Sequence, residues 1–304
     1  MVYRFIDCLV FVKVKIKNKP YLFHGKKYDN IVAKKSLGQN FLQAQWVVED
    51  ICKNVDIEDK IILEVGAGTG FLTREILKHN PRKMIIIEKD RRMIEILQNL
   101  CKELRCEGKV KIINGDALKY KITDVLNETI YDDSDCNDCQ NINNEKLTII
   151  GNLPYNVGTT LVVDWNEQAE NISEIVVMLQ KEVVDRICAK TNTKDYGRIS
   201  VLIQANCKVK KLFDVSPECF NPKPKVMSSI VKIVPKDNNE RITLLQYQKL
   251  DEFCKVAFSQ RRKKLSNVLK HSKFNDIILP EFVSENSRAE DLRVEEYIKI
   301  INTI

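Results

Sequence analysis

Nowhere in this 304-residue sequence does an apolar run approach the roughly 20 residues that a bilayer span requires, so no membrane association is expected. Histidine is scarce, and His24, His79 and His271 stand far apart. Cysteine is more frequent but lacks the spacing of a metal site. Cys52, Cys101, Cys188, Cys207 and Cys254 each sit singly in apolar runs, as buried free thiols do in a reducing compartment. The one close pair is Cys136 and Cys139, and no second pair with matching spacing follows it. The expectation is therefore no bound metal. Residues 1–16 are apolar and basic, yet lysines interrupt them early and no small-residue cleavage site follows, which argues against a secretory signal. Cytoplasmic location is expected. A mitochondrial address is the alternative, opposed by Asp7, by the lack of serine and by Arg4 being the lone arginine there.

What is present is enough apolar material for one large core, or for a large domain with a small one, at 44% hydrophobic residues. The formal charge of +7 suits a polyanionic partner such as nucleic acid without requiring one. Residues 1–33 carry no motif and read as a basic arm. From Lys34 onward the pattern becomes regular. An amphipathic helix is expected at 45–54, then strands near 61–65, 84–87, 110–113, 147–150 and 175–179, with helices at 71–78 and 91–104 between the first of them. Strands alternating with helices predict an α/β fold with a doubly wound, Rossmann-like parallel sheet. Residues 127–145 are rich in Asn and Asp and bury little, so they read as a flexible surface insertion that includes the Cys136 and Cys139 pair. Strand signals stop near Lys236. Helices expected at 244–270 and 293–301 make 236–304 a small helical C-terminal domain after a 34–235 catalytic domain.

Glu64-Val65-Gly66-Ala67-Gly68-Thr69-Gly70 joins a buried strand to a helix. Glycines here let the backbone turn tightly and approach a ligand, toward which the helix-start N–H groups point. A glycine pattern alone is weak; the flanking strand and helix strengthen it. Phe71 stands where a dinucleotide fingerprint wants its third glycine, which disfavours NAD. Glu88 ends the next strand, where a carboxylate can bind both ribose hydroxyls. Asp116 follows the third strand and can accept a hydrogen bond from an adenine amine. The bland alternative is that Glu88 and Asp116 only cap turns. A nucleoside with an amino acid and no pyrophosphate fits best, which is S-adenosylmethionine.

The fourth strand ends in Gly151-Asn152-Leu153-Pro154-Tyr155-Asn156. In a doubly wound sheet that end lies beside the cofactor crevice. The lone pair of an adenine N6 amine is delocalised into the ring, so the nitrogen is a poor nucleophile. Two acceptors on its hydrogens favour a tetrahedral nitrogen. The Asn152 side-chain oxygen is one; a backbone carbonyl, that of Leu153, is the other. Pro154 stiffens the turn, and Tyr155 offers a face on which an extruded base can stack. No strong base is needed, because the amine acidifies once methylated, so catalysis is mostly positioning and electrostatics. A proline turn with a packed tyrosine is the structural alternative.

With these motifs the chain resembles the ribosomal RNA adenine dimethyltransferases, the kasugamycin-resistance methyltransferase family, over about residues 34–304. Further marks are Leu37-Gly38-Gln39-Asn40-Phe41-Leu42, Gly115-Asp116-Ala117-Leu118, Phe220-Asn221-Pro222-Lys223-Pro224-Lys225-Val226-Met227-Ser228-Ser229 and Phe258-Ser259-Gln260-Arg261-Arg262-Lys263-Lys264-Leu265-Ser266-Asn267. The resemblance implies that Asn40, Leu42, Gly66, Glu88, Asp116 and Asn152 line the cofactor site, joined by Gly68 and Gly70 of the glycine loop. It implies that Asn152 and Leu153 hold the target amine, with Tyr155 and Phe220 sandwiching the base. The implied reaction is dimethylation of two adjacent adenosines near the 3′ end of small-subunit ribosomal RNA, on a pre-assembled small subunit, by a monomer.

Arg261, Arg262, Lys263 and Lys264 form a basic run on a predicted helix; in company with these motifs, phosphate contact is the better reading than a solvated face. Lys223 and Lys225 flank prolines near the base pocket and are expected to grip phosphates too. Competing readings are a DNA adenine-N6 methyltransferase, a ribosome-assembly or transcription factor keeping the fold without the activity, and an NAD-linked dehydrogenase. Leu153 stands where the DNA enzymes often carry a proline, the intact Asn152, Glu88 and Asp116 oppose loss of activity, and no catalytic proton donor suits the dehydrogenase.

Overall fold

The structure is a computed structural model that describes residues 15–16, 19–20, 32–130 and 145–304. Lys15–Ile16 (β1) and Lys19–Pro20 (β2) pair antiparallel; the rest of the expected arm up to residue 31 lies outside the described residues. Phe41–Leu42 (β3) leads into α1 (Gln45–Cys52), whose Val47, Val48, Ile51 and Cys52 turn to the core. Next come β4 (Ile61–Val65), buried throughout, and α2 (Phe71–Lys78). They are followed by β5 (Lys83–Glu88), α3 (Arg91–Leu104) and β6 (Val110–Asn114). Asp90 caps α3 by accepting from the Arg92 N–H, and Arg105 ends it with φ 52°. Helix α4 (Ile122–Ile130) runs through the first residues of the expected insertion, because Ile122, Val125 and Leu126 bury against the sheet. What remains of that insertion, residues 131–144 with Cys136 and Cys139, is outside the described residues.

The chain returns in β7 (Leu147–Asn152), α5 (Gly158–Glu167), β8 (Ile172–Gln180), α6 (Lys181–Ile187) and α7 (Arg198–Asn206). Then come β9 (Cys207–Val215), β10 (Phe220–Asn221) and β11 (Ser228–Pro235). The main sheet has seven strands in the order β6-β5-β4-β7-β8-β11-β9. Its first five are parallel, as the alternating pattern predicts. Strands β11 and β9 add on antiparallel, which the sequence reading did not anticipate. Strand order reverses between β4 and β7, and the crevice at their carboxyl ends is where such sheets bind ligands. Glu64 stands beside Ile150 in register, which brings the glycine loop and Asn152 side by side.

The tail is helical: α8 (Leu244–Ala257), α9 (Leu265–Leu269) and α10 (Val294–Ile301). Thr243 and Gln246 close a capping box at the start of α8. Its core also takes in Tyr196, Val201, Leu202 and Ala205 from α7 and the loop before it. One continuous helix over 244–270 is not what forms. Phe258–Gln260 tightens to a 3₁₀ turn, and Lys264 is extended at φ −58° and ψ 139°. Phe258 stacks on Tyr297 at 5.8 Å, and the Leu265 N–H goes to the Ser287 carbonyl, so tertiary contacts break the helix. The basic run therefore lies in a turn and not on a helix.

Candidate active site

A partly open cleft sits at the β4–β7 crevice. Among the predicted residues, Asn40, Leu42, Gly66, Gly68, Glu88, Asp116, Asn152, Leu153, Pro154 and Tyr155 all line it. The structure does not bring every predicted residue there.

Glu88 is 5% exposed at the end of β5. Its two oxygens accept from the Gly68 N–H at 2.9 Å and the Asp90 N–H at 2.7 Å, so the carboxylate braces the glycine loop. Burial pushes its pKa up, opposed by those backbone donors. Gly68 has φ +56°, and a Cβ there would meet the Phe41 ring at 3.2 Å, so glycine keeps this wall open. Gly70 is different. Its φ is +77° and a Cβ would lie 2.5 Å from Leu100, because it faces α3. It is the residue before α2 and does not line the cleft, so its expected cofactor contact is corrected to a packing role.

Asp116 both caps a turn and lines the cleft. It caps a 3₁₀ turn by accepting from the Leu118 N–H at 3.3 Å, and it pairs with Lys89 at 2.6 Å. Lys89 holds its carboxyl below the usual range, so it remains an acceptor facing the cleft.

The Asn152 amide donates from Nδ2 to the Asn40 carbonyl at 3.3 Å. That bond assigns the amide orientation and leaves Oδ1 as the acceptor on the other side. The Leu153 N–H is spent on the Met178 carbonyl at 3.2 Å, while no donor among the described residues bonds the Leu153 carbonyl. The ring of Pro154 packs 3.3 Å from where a Gly66 Cβ would be, tying the chemistry box to the glycine loop. Tyr155 is half-buried and held through its hydroxyl by Ser228 Oγ at 2.5 Å.

Phe220 does not stand open opposite Tyr155. Its ring is 3% exposed in the core with Leu42, whose backbone it pairs, so the expected aromatic sandwich is not formed here. Arg261 also departs from its expected role. Its guanidinium bonds the carbonyls of Lys194 and Tyr196 and the Glu290 carboxylate, which ties it to the fold although the side chain stays 44% exposed. Lys223 is exposed but paired with Glu218 at 2.5 Å; Lys225, Arg262, Lys263 and Lys264 are exposed too.

Glu64, Gln39, Phe41 and Ser228 lie within the sequence motifs but were given no role of their own, and Lys89 and Asp90 lie in none. The N-cap position of Asp90, two residues past Glu88, was the one local signal available. Glu64 lies on the cleft floor, 1% exposed, accepting from Thr73 Oγ1 at 2.6 Å. Burial pushes its carboxyl from 4.5 up to about 8. Between those values the folded state keeps a proton that the unfolded chain has lost. Stability from this group therefore falls as pH rises, by roughly 1 kcal/mol per pH unit. Glu64→Gln keeps an oxygen for Thr73 and removes the titration. In urea unfolding it is expected to gain on wild type progressively from about pH 5 to 8 and level off above. Parallel pH profiles for the two proteins would show that Glu64 is ionised in the fold.

The sequence profile of the family described as ribosomal RNA adenine dimethylase matches residues 30–304. Ribosomal RNA small subunit methyltransferase A of Ehrlichia chaffeensis is 36% identical over 274 residues, covering 89% of this chain and 96% of that protein. The Pelagibacter ubique protein of the same name is 37% identical over 281 residues, covering 89% and 96%. The crystal structure of a dimethyladenosine transferase from Plasmodium falciparum superimposes with a TM-score of 0.68, at 24% identity over 86% of this chain and 95% of the other.

Proposed function

Because the chain belongs to the ribosomal RNA adenine dimethylase family, we propose that it dimethylates the N6 amines of two adjacent adenosines near the 3′ end of small-subunit ribosomal RNA. The observation that carries this reading is the Asn152 amide, with Nδ2 committed to Asn40 and Oδ1 left to accept, beside the glycine loop and Glu88.

The residues present fit S-adenosylmethionine. The bare Gly68 wall admits close approach, Glu88 offers carboxylate lone pairs to a ribose diol, and Asp116 stays ionised to accept from an adenine amine. Asn40 and Leu42 close the opposite wall. When bound, S-adenosylmethionine supplies an electrophilic methyl group. The chain's own part is to prepare the target nitrogen. Asn152 Oδ1 and the Leu153 carbonyl accept its two hydrogens, which draws the lone pair out of the ring. Tyr155, anchored by Ser228, stacks on the extruded base. Phe220 serves as the second face only after its ring leaves the core. No residue needs to act as a strong base, so preorganised acceptors carry the rate.

Lys225, Arg262, Lys263 and Lys264 are exposed members of the predicted RNA-facing set, and phosphate contact is their proposed role. Lys223 joins them by exchanging Glu218 for phosphate. The proposed division is a catalytic domain over 34–235 and a helical RNA-binding domain over 236–304. The proposed substrate is the pre-assembled small subunit, met by a monomer in the cytoplasm. No helix among the described residues is long and apolar enough to cross a membrane.

Incubation of small ribosomal subunits with the protein and S-adenosylmethionine, followed by mass spectrometry of the RNA, is expected to give dimethyladenosine at two neighbouring positions. Transfer to duplex DNA in preference to the subunit, or methylation elsewhere in the RNA, would overturn the proposed substrate.

A further inference from the structure

One wall of the cleft is a strap, residues 34–42, that touches both halves of the chemistry. Phe41 lies against Gly68, where an added Cβ would be 3.2 Å from its ring. The Asn40 carbonyl accepts from Asn152. Gly38 passes so close to the chemistry box that a Cβ would fall 2.9 Å from Asn156 Oδ1. The far end of the strap is pinned to β10 by the β3 pairing. The near end has no such support. Its 3₁₀ turn, Lys35–Leu37, buries no residue.

The near end is held by charge instead. The Asp90 side chain has 0% exposure although it is a carboxylate at the start of α3. Oδ1 accepts from Lys34 Nζ at 3.2 Å, and Oδ2 accepts from Gln39 Nε2 at 2.9 Å. Arg92 adds its guanidinium at 2.6 Å and reaches on to the Val32 carbonyl at 3.0 Å. Gln39 Oε1 in turn accepts from the Lys34 N–H at 2.8 Å. Nearby cations, Arg92 foremost, hold the Asp90 carboxyl far below the usual carboxylate range. The Asp90 N–H also donates to Glu88, so the latch and the proposed ribose carboxylate share one turn.

We propose that Asp90 is a positioning residue for methyl transfer: it latches the strap through Gln39 and Lys34, and the latched strap aligns Asn152 through the Asn40 carbonyl. The inference rests on the cleft being the cofactor site. A purely structural Asp90 would need only to cap α3, a task asparagine performs as well. The latch needs two anionic oxygens for three cationic or amide partners, which asparagine does not supply.

The test compares Gln39→Ala, Asp90→Asn and their double variant with wild type. The readouts are kcat and the cofactor KM on small ribosomal subunits, S-adenosylhomocysteine binding by calorimetry, and thermal unfolding. A slack strap misplaces Asn152, so each single variant is expected to lower kcat about tenfold and to raise the cofactor KM several-fold. The double variant is expected to be no worse than the poorer single one, because both sever the same connection. Unfolding of Gln39→Ala is expected within about 2 °C of wild type, since the adjoining turn buries no residue and Asp90 keeps Lys34 and Arg92 as partners. Wild-type kinetics in Gln39→Ala and Asp90→Asn would overturn the latch. So would a loss confined to unfolding temperature. Wild-type protein that binds no S-adenosylhomocysteine would instead overturn the cofactor reading, and the latch with it.

Discussion

Asn152→Ala is expected to cut kcat by about 10²–10³-fold while cofactor affinity changes by no more than about fivefold. The first figure is what a single preorganised polar group is worth where charge develops in the transition state. The second follows from what the amide does in the resting protein, which is one neutral hydrogen bond to Asn40 at 3.3 Å, worth about 1 kcal/mol. Asn152→Asp is the informative companion. It keeps an oxygen acceptor for the amine but loses the Nδ2 donor that orients the group, so it is expected to fall between wild type and alanine. Single-turnover methyl transfer and calorimetry separate the two effects. Turnover at the wild-type rate by Asn152→Ala would remove Asn152 from the mechanism.

Glu88→Ala should act on the other parameter. The carboxylate holds two buried N–H groups, those of Gly68 and Asp90, and presents its remaining lone pairs to the cleft. Hydrogen bonds to a charged group contribute about 1.5–3 kcal/mol each, so losing those to a ribose diol is expected to weaken cofactor binding at least about 100-fold. The orphaned Gly68 N–H would also loosen the glycine loop. Because burial raises the pKa of Glu88, and the ionised form accepts from both hydroxyls, wild-type affinity is expected to decline on mild acidification. That decline should be absent from Glu88→Ala. A dissociation constant within fivefold of wild type in the variant would mean that Glu88 braces the loop and does nothing for the ligand.

Much of the candidate site was legible because it is encoded locally. A buried strand followed by a glycine turn and a helix has few structural solutions, and alternating strands and helices dictate a parallel sheet with its carboxyl ends together. Glu88 and Asn152 each end a strand of that sheet and Asp116 follows one by two residues, so the pattern alone brought them to one crevice. The antiparallel edge was harder to see. Cys207–Val215 mixes lysines with apolar residues at an edge, and its pairing with Ser228–Pro235 is a tertiary event.

The sequence by itself determined the fold class and which strand ends, that of Asn152 among them, meet at one crevice, because strand and helix periodicities are properties of neighbouring residues. Only the tertiary structure decided that Gly70 packs on Leu100, that Phe220 is buried beside Leu42, and that Arg261 is consumed by Lys194, Tyr196 and Glu290. It also decided the partners of Asp90, which lie 56 and 51 residues away in Lys34 and Gln39. Such contacts depend on which surfaces meet after the sheet has formed. A buried carboxylate must find its donors wherever the fold has put them, and no local pattern specifies that place.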